Sequence, residues 1–249
     1  MDGGAARHIA SLCDFSSAPR AIEIGAGTGT LTRALLEAGA DLTALEIDPD
    51  LVDLLRDRAD LAGARIVQGD ALEFDYDAFS GAGPWVAAGN LPYNIATPLI
   101  MSWLEMRAVP RRIVVMVQRD VADRFGARPS TPAYGSLSVA VQFAMHVRRA
   151  MTLGANSFYP RPKVESAVVV MEPHATPPVT VRDRTFFMQV VRGAFAYRRK
   201  TLANSLALAL GFERRRVEMT LSGLGLAPEI RGEQLSLAAF AALADALTP

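Results

Sequence analysis

Asn90-Leu91-Pro92-Tyr93 sets a side-chain amide, a carbonyl held ahead of a proline and an aromatic ring in four consecutive residues. The combination suits an exocyclic amine on a nucleobase such as adenine, a poor nucleophile because its lone pair is delocalised into the ring. If Asn90 Oδ1 and the Leu91 carbonyl each accept one N–H bond of that amine, the nitrogen is held nearer tetrahedral geometry and its lone pair is aimed outward. Pro92 fixes φ and has no N–H, which steadies the carbonyl before it. Tyr93 offers a face on which a flipped-out base can stack, a contact worth about 1–3 kcal/mol. In isolation the tetrad would simply be a turn.

What favours chemistry is the sequence upstream. Gly25-Ala26-Gly27-Thr28-Gly29-Thr30 lies between a β-prone run and a helical one, where glycines allow close backbone approach to a ligand and a helix start supplies free N–H groups. The spacing is G-x-G-x-G, with Thr30 where a dinucleotide fingerprint has its third glycine, so pyrophosphate binding is disfavoured. Glu23 precedes the loop, Glu46 ends the next β-prone run, and Asp70 with Ala71 follows the third, in QGDA. Acids so placed fit a nucleoside with an amino-acid tail: Glu46 for two ribose hydroxyls, Asp70 for the adenine amino group. The plainer alternatives are a solvated Glu46 and an Asp70 that caps the next helix. Taken together, the loop residues Gly25, Gly27 and Gly29 with Glu23, Glu46, Asp70 and Ala71 point to S-adenosylmethionine (SAM) as the cofactor. Its sulfonium methyl is what the amine held at Asn90 would attack. Asp48, before Pro49, reads as a turn or helix cap.

These positions require strands that end at one edge. Residues 21–24, 42–47, 65–67, 85–88 and 113–117 read as strands, and helical patterns follow at 31–38, around Leu51 to Leu61 and at 98–106. Such alternation predicts a parallel, doubly wound sheet. Residues 137–153 and 164–171 read as longer β segments without a helix between them, closing the sheet edge antiparallel. After the Pro-rich break at 173–178, helical patterns at 185–197, 200–210, 214–221 and 235–247 predict a small all-helical C-terminal domain. The expected fold class is therefore α/β, a Rossmann-like methyltransferase sheet over 1–177 with helices over 178–249.

The 249 residues are 50% hydrophobic and 21% charged, which excludes a disordered or fibrous chain. The formal net charge of +0 conceals a polarity: residues 1–110 carry 7 basic and 16 acidic side chains, and residues 111–249 carry 19 and 10. Arg111, Arg112, Arg119, Arg124, Arg128, Arg198-Arg199-Lys200 and Arg214 to Arg216 are candidate phosphate contacts that would position RNA without reading its sequence. Cys13, the single cysteine, cannot form an internal disulfide, and His8, His146 and His174 lack ligand spacing, so no metal is expected. The N-terminus has no signal architecture and no apolar run approaches the ~18 residues of a membrane span. The expectation is a cytoplasmic monomer without membrane partners.

The runs EIGAGTGTLT, EIDPDL, QGDA, NLPYNIATPL, YGSLSVAVQ, FYPRPKVESAVV and RRKTLANSL together resemble the rRNA adenine N6,N6-dimethyltransferases, in their small-subunit branch. The resemblance runs from about residue 8 to the C-terminus. It implies SAM contacts at Gly25, Glu46, Asp70 and Asn90, with Asn90 to Tyr93 at the target amine and Phe158 as a second aromatic at the base pocket. It further implies dimethylation of two adjacent adenines near the 3′ end of 16S-type rRNA, on an immature 30S-type subunit, with Arg119, Arg198, Arg199 and Lys200 among the RNA contacts. A basic lid segment that the family carries before its first helix is expected to be missing, with weakened SAM affinity as the result. Three competing readings are the large-subunit, erythromycin-resistance type, a non-catalytic assembly or transcription factor on the same fold, and a nicotinamide oxidoreductase. Thr97-Pro98 and RRKTLANSL favour the small-subunit branch, the intact tetrad speaks for catalysis, and the absent third glycine speaks against nicotinamide.

Overall fold

Short β-branched and alanine-rich runs flanked by glycine, proline and aspartate build the centre of the molecule. The structure, a computed structural model, describes residues 2–81, 83–92, 94–154 and 165–248. Seven strands form one sheet in the order β3-β2-β1-β4-β5-β7-β6. They are β1 (Arg20–Ile24), β2 (Asp41–Glu46), β3 (Arg65–Gln68), β4 (Val86–Asn90), β5 (Arg112–Gln118), β6 (Met145–Leu153) and β7 (Ser166–Pro173). The first five pair in parallel, and β7 runs antiparallel to β5, as the pattern of 164–171 predicts.

Crossover helices α2 (Thr30–Glu37), α3 (Pro49–Arg56), the short α4 (Tyr76–Ser80) and α5 (Ala96–Glu105) connect these strands, and α1 (Gly3–Cys13) precedes them. Asp48 is the N-cap of α3, accepting from Asp50 N–H at 3.0 Å ahead of Pro49, as expected of that position. Strand order reverses between β1 and β4, and in open α/β sheets ligands bind in the crevice at that switch, outside the carboxyl ends of the strands. Gly89 sets how closely the two strands approach there: a Cβ at that residue would lie 2.6 Å from the Ile24 carbonyl oxygen.

One face of the sheet is covered by α1 and α2, whose Ile9, Cys13 and Leu35 pack with Val86, Val114 and Val168. Each such aliphatic side chain contributes about 1.5–3 kcal/mol on burial. Arg112 fastens this layer, donating to the Leu12 carbonyl (2.7 Å) and pairing with Glu172 (2.5 Å), while Arg111 bonds Asp14 and Ser17. Only 16% of the Arg112 side chain is exposed, so it ties α1 to the sheet, while Arg111, at 30%, is held by Asp14 and Ser17 just beyond that helix. A second packed group consists of Trp85, Trp103 and Tyr76. The Tyr76 ring stacks on Trp85 at 5.9 Å and meets Trp103 edge-on at 5.7 Å.

Residues 137–144 differ from expectation. They form α7 (Ser136–Ala144), and the strand begins only at Met145. Leu137, Val139, Ala140 and Val141 are all buried, so no polar face marks a helical period in SLSVAVQFA, and an apolar run of that length cannot be told from a strand by periodicity. Tertiary bonds support the helix: the Gln142 amide donates to the carbonyls of Phe125 (3.1 Å) and Ala127 (2.8 Å).

The chain divides into two compact units, Met1–Ala122 with His146–Pro173, and Asp123–Met145 with His174–Pro249. The second thus takes in α7 as well as α8 (Arg184–Ala196), α9 (Leu202–Leu210), α10 (Arg214–Gly223) and α11 (Leu237–Leu247), while α6 (Arg119–Phe125) spans the division. Its core includes Phe187, Leu206, Leu221 and Phe240, and the Tyr134 hydroxyl donates to the Leu235 carbonyl at 2.8 Å. Among the described residues no helix is long and apolar enough to cross a membrane.

Candidate functional site

The site is assembled where β1, β2 and β4 end. After Ile24 the chain turns through Gly25, Gly27 and Gly29, all at positive φ, and enters α2. At Gly29, φ is +80° and a Cβ would lie 2.6 Å from a Leu61 methyl and 2.9 Å from a Leu55 methyl, so a side chain there would be strained and would displace both. Arg58 holds the loop from outside by donating to the Thr28 carbonyl at 2.5 Å, a contact that residue spacing alone does not reveal.

Glu46, at the end of β2, is 6% exposed. Its Oε2 accepts from Gly27 N–H (2.8 Å), and its Oε1 from Ile47 N–H (2.9 Å) and Asp48 N–H (3.2 Å). The carboxylate therefore links the glycine loop to the β2 end and keeps one free lone-pair direction, on Oε2. Asp70 spends Oδ1 on Leu72 N–H (2.8 Å) in a local turn and does not cap the next helix, whose N-cap is Asp75. Beside it, the Ala71 carbonyl is held by the Tyr76 hydroxyl at 2.9 Å, so the buried aromatic group fixes this loop from behind.

Two cavities open on this edge. One, of about 270 Å³, is lined by Ile24, Gly25, Leu45, Glu46, Ile47, Gly69, Asp70, Ala71, Pro92, Asn94 and Ile95. The other, of about 120 Å³, lies against the glycine loop between Glu23 and Asn90. Gly25 borders both, and its hypothetical Cβ would sit 3.7 Å from the Asn90 carbonyl oxygen. The expected residues Glu23, Gly25, Gly27, Glu46, Asp70, Ala71 and Asn90 thus line one continuous edge. Ile47, Leu45 and Ile95 were not singled out from sequence. The signal for Ile47 would have been an aliphatic residue directly after a strand-end acid, and it is 62% exposed on the cavity wall.

Glu23, on β1, is 1% exposed, and its Oε2 has no hydrogen-bond partner. Burial pushes its carboxyl up to about 8, which Thr32 opposes and the Glu46 charge reinforces. Asn90, the last residue of β4, is exposed, whereas Leu91 behind it is buried and bonds through its N–H to the Met116 carbonyl at 3.0 Å. The Pro92 carbonyl accepts from Ile95 and Ala96 N–H, which starts α5 directly after the tetrad. Tyr93 and Phe158 lie outside the described residues.

The basic residues are distributed differently. Arg119 opens α6 and pairs with Glu165 at 2.7 Å. Arg198, Arg199 and Lys200 are exposed in the turn between α8 and α9, and Arg198 comes within 4.0 Å of Glu233. Arg214, Arg215 and Arg216 form the first turn of α10. Among the described residues, no group of three or more His, Cys, Asp or Glu side chains could hold a metal.

A switch-point crevice with a glycine loop, strand-end carboxylates and two adjoining cavities defines a Rossmann-like domain. The chain belongs to the ribosomal RNA adenine dimethylase family, whose model matches residues 6–248. It is 43% identical over 244 residues to the ribosomal RNA small subunit methyltransferase A of Geobacter metallireducens, covering 96% of this chain and 89% of that one. The protein of the same description in Geobacillus thermodenitrificans is 40% identical, over 100% of this chain and 88% of its own length. Among solved structures the fold matches a dimethyladenosine transferase from Plasmodium falciparum (TM-score 0.78, 23% identity, 97% of this chain and 94% of that chain). It also matches the 23S rRNA methyltransferase ErmE (TM-score 0.69, 23% identity, 99% and 98%).

Proposed function

We propose that this chain transfers methyl groups from SAM to N6 of two adjacent adenines near the 3′ end of small-subunit rRNA, giving N6,N6-dimethyladenine during small-subunit maturation. The observation that carries the reading is Asn90 lining the glycine-loop cavity, with Gly25 common to that cavity and the larger one, which Pro92 of the same tetrad lines. Whole-length identity of about 40% to small-subunit methyltransferases favours that substrate over the large-subunit one.

The residues fit the cofactor. Glu23 Oε2, buried without a partner, suits the ammonium of an amino-acid tail, and the N–H groups of the loop and of the α2 start suit its carboxylate. Glu46 Oε2 has one lone pair left for a ribose hydroxyl, and Ile47 with Leu45 and Ile95 forms an apolar wall for the adenine ring. When bound, SAM supplies an electrophilic methyl group on sulfur.

Asn90 and the Leu91 carbonyl hold the target amine by its two N–H bonds and turn its lone pair toward that methyl. Transfer of that methyl would leave a cationic nitrogen able to lose its proton to solvent, so the chain need supply no strong base beside Asn90. Tyr93 and Phe158 serve as stacking faces for the flipped base, and the basic turn at Arg198 to Lys200 with Arg119 grips phosphates.

The test is transfer of tritiated methyl from SAM to small subunits lacking the modification, compared with naked rRNA and large subunits. Wild-type chain should label small subunits. Asn90→Ala should lower the rate by about two orders of magnitude or more while SAM still binds, as loss of a group acting on the transition state does. Transfer to large subunits only would overturn the substrate, and transfer to none would overturn catalysis.

A further inference from the structure

Glu23 is an acid without a counter-ion among the described residues. It lines the smaller cavity together with Gly25, Gly27, Thr28, Thr30 and Asn90. The elements packed around it bring no positive charge that shifts it. From β2 comes the Glu46 carboxylate, which opposes its ionisation, and from α2 the uncharged Thr32 hydroxyl. From α1 comes the Cys13 thiol, itself pushed up to about 12 by burial, with the Glu23 charge adding to that rise and Arg112 opposing it. β4 presents Ala88 in register with Glu23, and Asn90 further along. A carboxylate so enclosed is poorly solvated, and the cavity at its side is a place from which a compensating cation can come.

We propose that Glu23 carries a proton while that cavity holds no cation, and releases it to solvent when the ammonium of the cofactor's amino-acid tail arrives. The inference rests on the SAM reading above and adds to it a proton exchange. The Glu23 O–H bond breaks, the proton passes to a solvent base, and the carboxylate left behind pairs with the ammonium. A carboxyl of about 8 is largely protonated at pH 7. Cofactor binding there should therefore release close to 0.9 proton per site, roughly the protonated fraction that linkage makes available.

Calorimetric titration of the full chain with S-adenosylhomocysteine, at pH 7 in buffers of different ionisation enthalpy, counts that proton directly. The slope of observed enthalpy against buffer enthalpy should correspond to roughly 0.9 proton released for the wild type and to about zero for Glu23→Gln. With 5′-methylthioadenosine, which lacks the amino-acid tail, the slope should be about zero even for the wild type, and its binding to Glu23→Gln shows that the variant is folded. A wild-type pH series provides a check independent of the variant. Affinity for S-adenosylhomocysteine should rise up to about tenfold per pH unit below 8 and level off above it, while affinity for methylthioadenosine stays flat. Binding of S-adenosylhomocysteine without proton release, or with release unchanged in Glu23→Gln, overturns the exchange and leaves the cofactor reading standing. No binding of S-adenosylhomocysteine to the wild type overturns both.

Discussion

At the scale of single residues, Glu23 also imposes a cost on folding. Its carboxyl is held near 8 in the folded chain and returns to an ordinary value of 4.5 on unfolding, so between those limits the folded state binds the extra proton. Stability is then fully present below about pH 4.5 and falls as pH rises toward 8, by an amount on the order of a few kcal/mol. Chemical denaturation of the cofactor-free chain across that range should show the decline, and Glu23→Gln should remove most of its slope. The identity of the strand-end acids was legible in the sequence because glycine and aspartate punctuate each strand end. What each oxygen does was not legible. Glu46 loses three of its acceptor sites to Gly27, Ile47 and Asp48 N–H groups, and the first of these depends on a tertiary approach of the glycine loop to β2.

Among the elements, α10 is built against its own dipole. Arg214, Arg215 and Arg216 occupy its first turn, which contains no acid, although a helix N-terminus favours negative charge. Arg214 is partly compensated by Glu218 at 2.7 Å and Arg216 by the Leu247 carbonyl at 3.2 Å. The arrangement suits a helix whose start meets phosphate. Arg215→Glu should accordingly stabilise the chain by about 0.3–1 kcal/mol, seen as a higher melting temperature by circular dichroism, while weakening binding of an rRNA fragment. The parallel strands and the four C-terminal helices were legible from periodicity and punctuation. Helix α7 was not, because burial of Leu137 to Val141 erases the polar stripe by which a helix is recognised.

For the molecule as a whole, charge divides between the two compact units, though less sharply than along the chain. Asp123–Met145 with His174–Pro249 holds 12 basic and 7 acidic residues, a net of +5, and the remainder of the chain has a net of −5. The polarity was visible from the order of charges along the chain. The compact division was not, since Arg111, Arg112, Arg119, Arg148 and Arg149 belong to the sheet unit while residues 123–145 join the helical one through contacts such as Ser130 N–H to the Glu233 carbonyl at 2.7 Å. Binding of rRNA should weaken linearly in log affinity against log salt, with about 0.7–0.9 of slope for each phosphate neutralised. Changing both Arg198 and Arg199 to Gln should reduce that slope by roughly 1.4 to 1.8, measurable by fluorescence anisotropy of a labelled rRNA fragment.

The stacked group of Tyr76, Trp85 and Trp103 has an optical meaning as well as a mechanical one. Both tryptophans of the chain belong to it, and both lie in the sheet unit. Their emission therefore reports on that unit alone, and it does so from behind Ala71, within one hydrogen bond of the proposed adenine pocket. A single excitation wavelength isolates the sheet unit, and any difference between the fluorescence and dichroism transitions measures how far the helical unit unfolds on its own account.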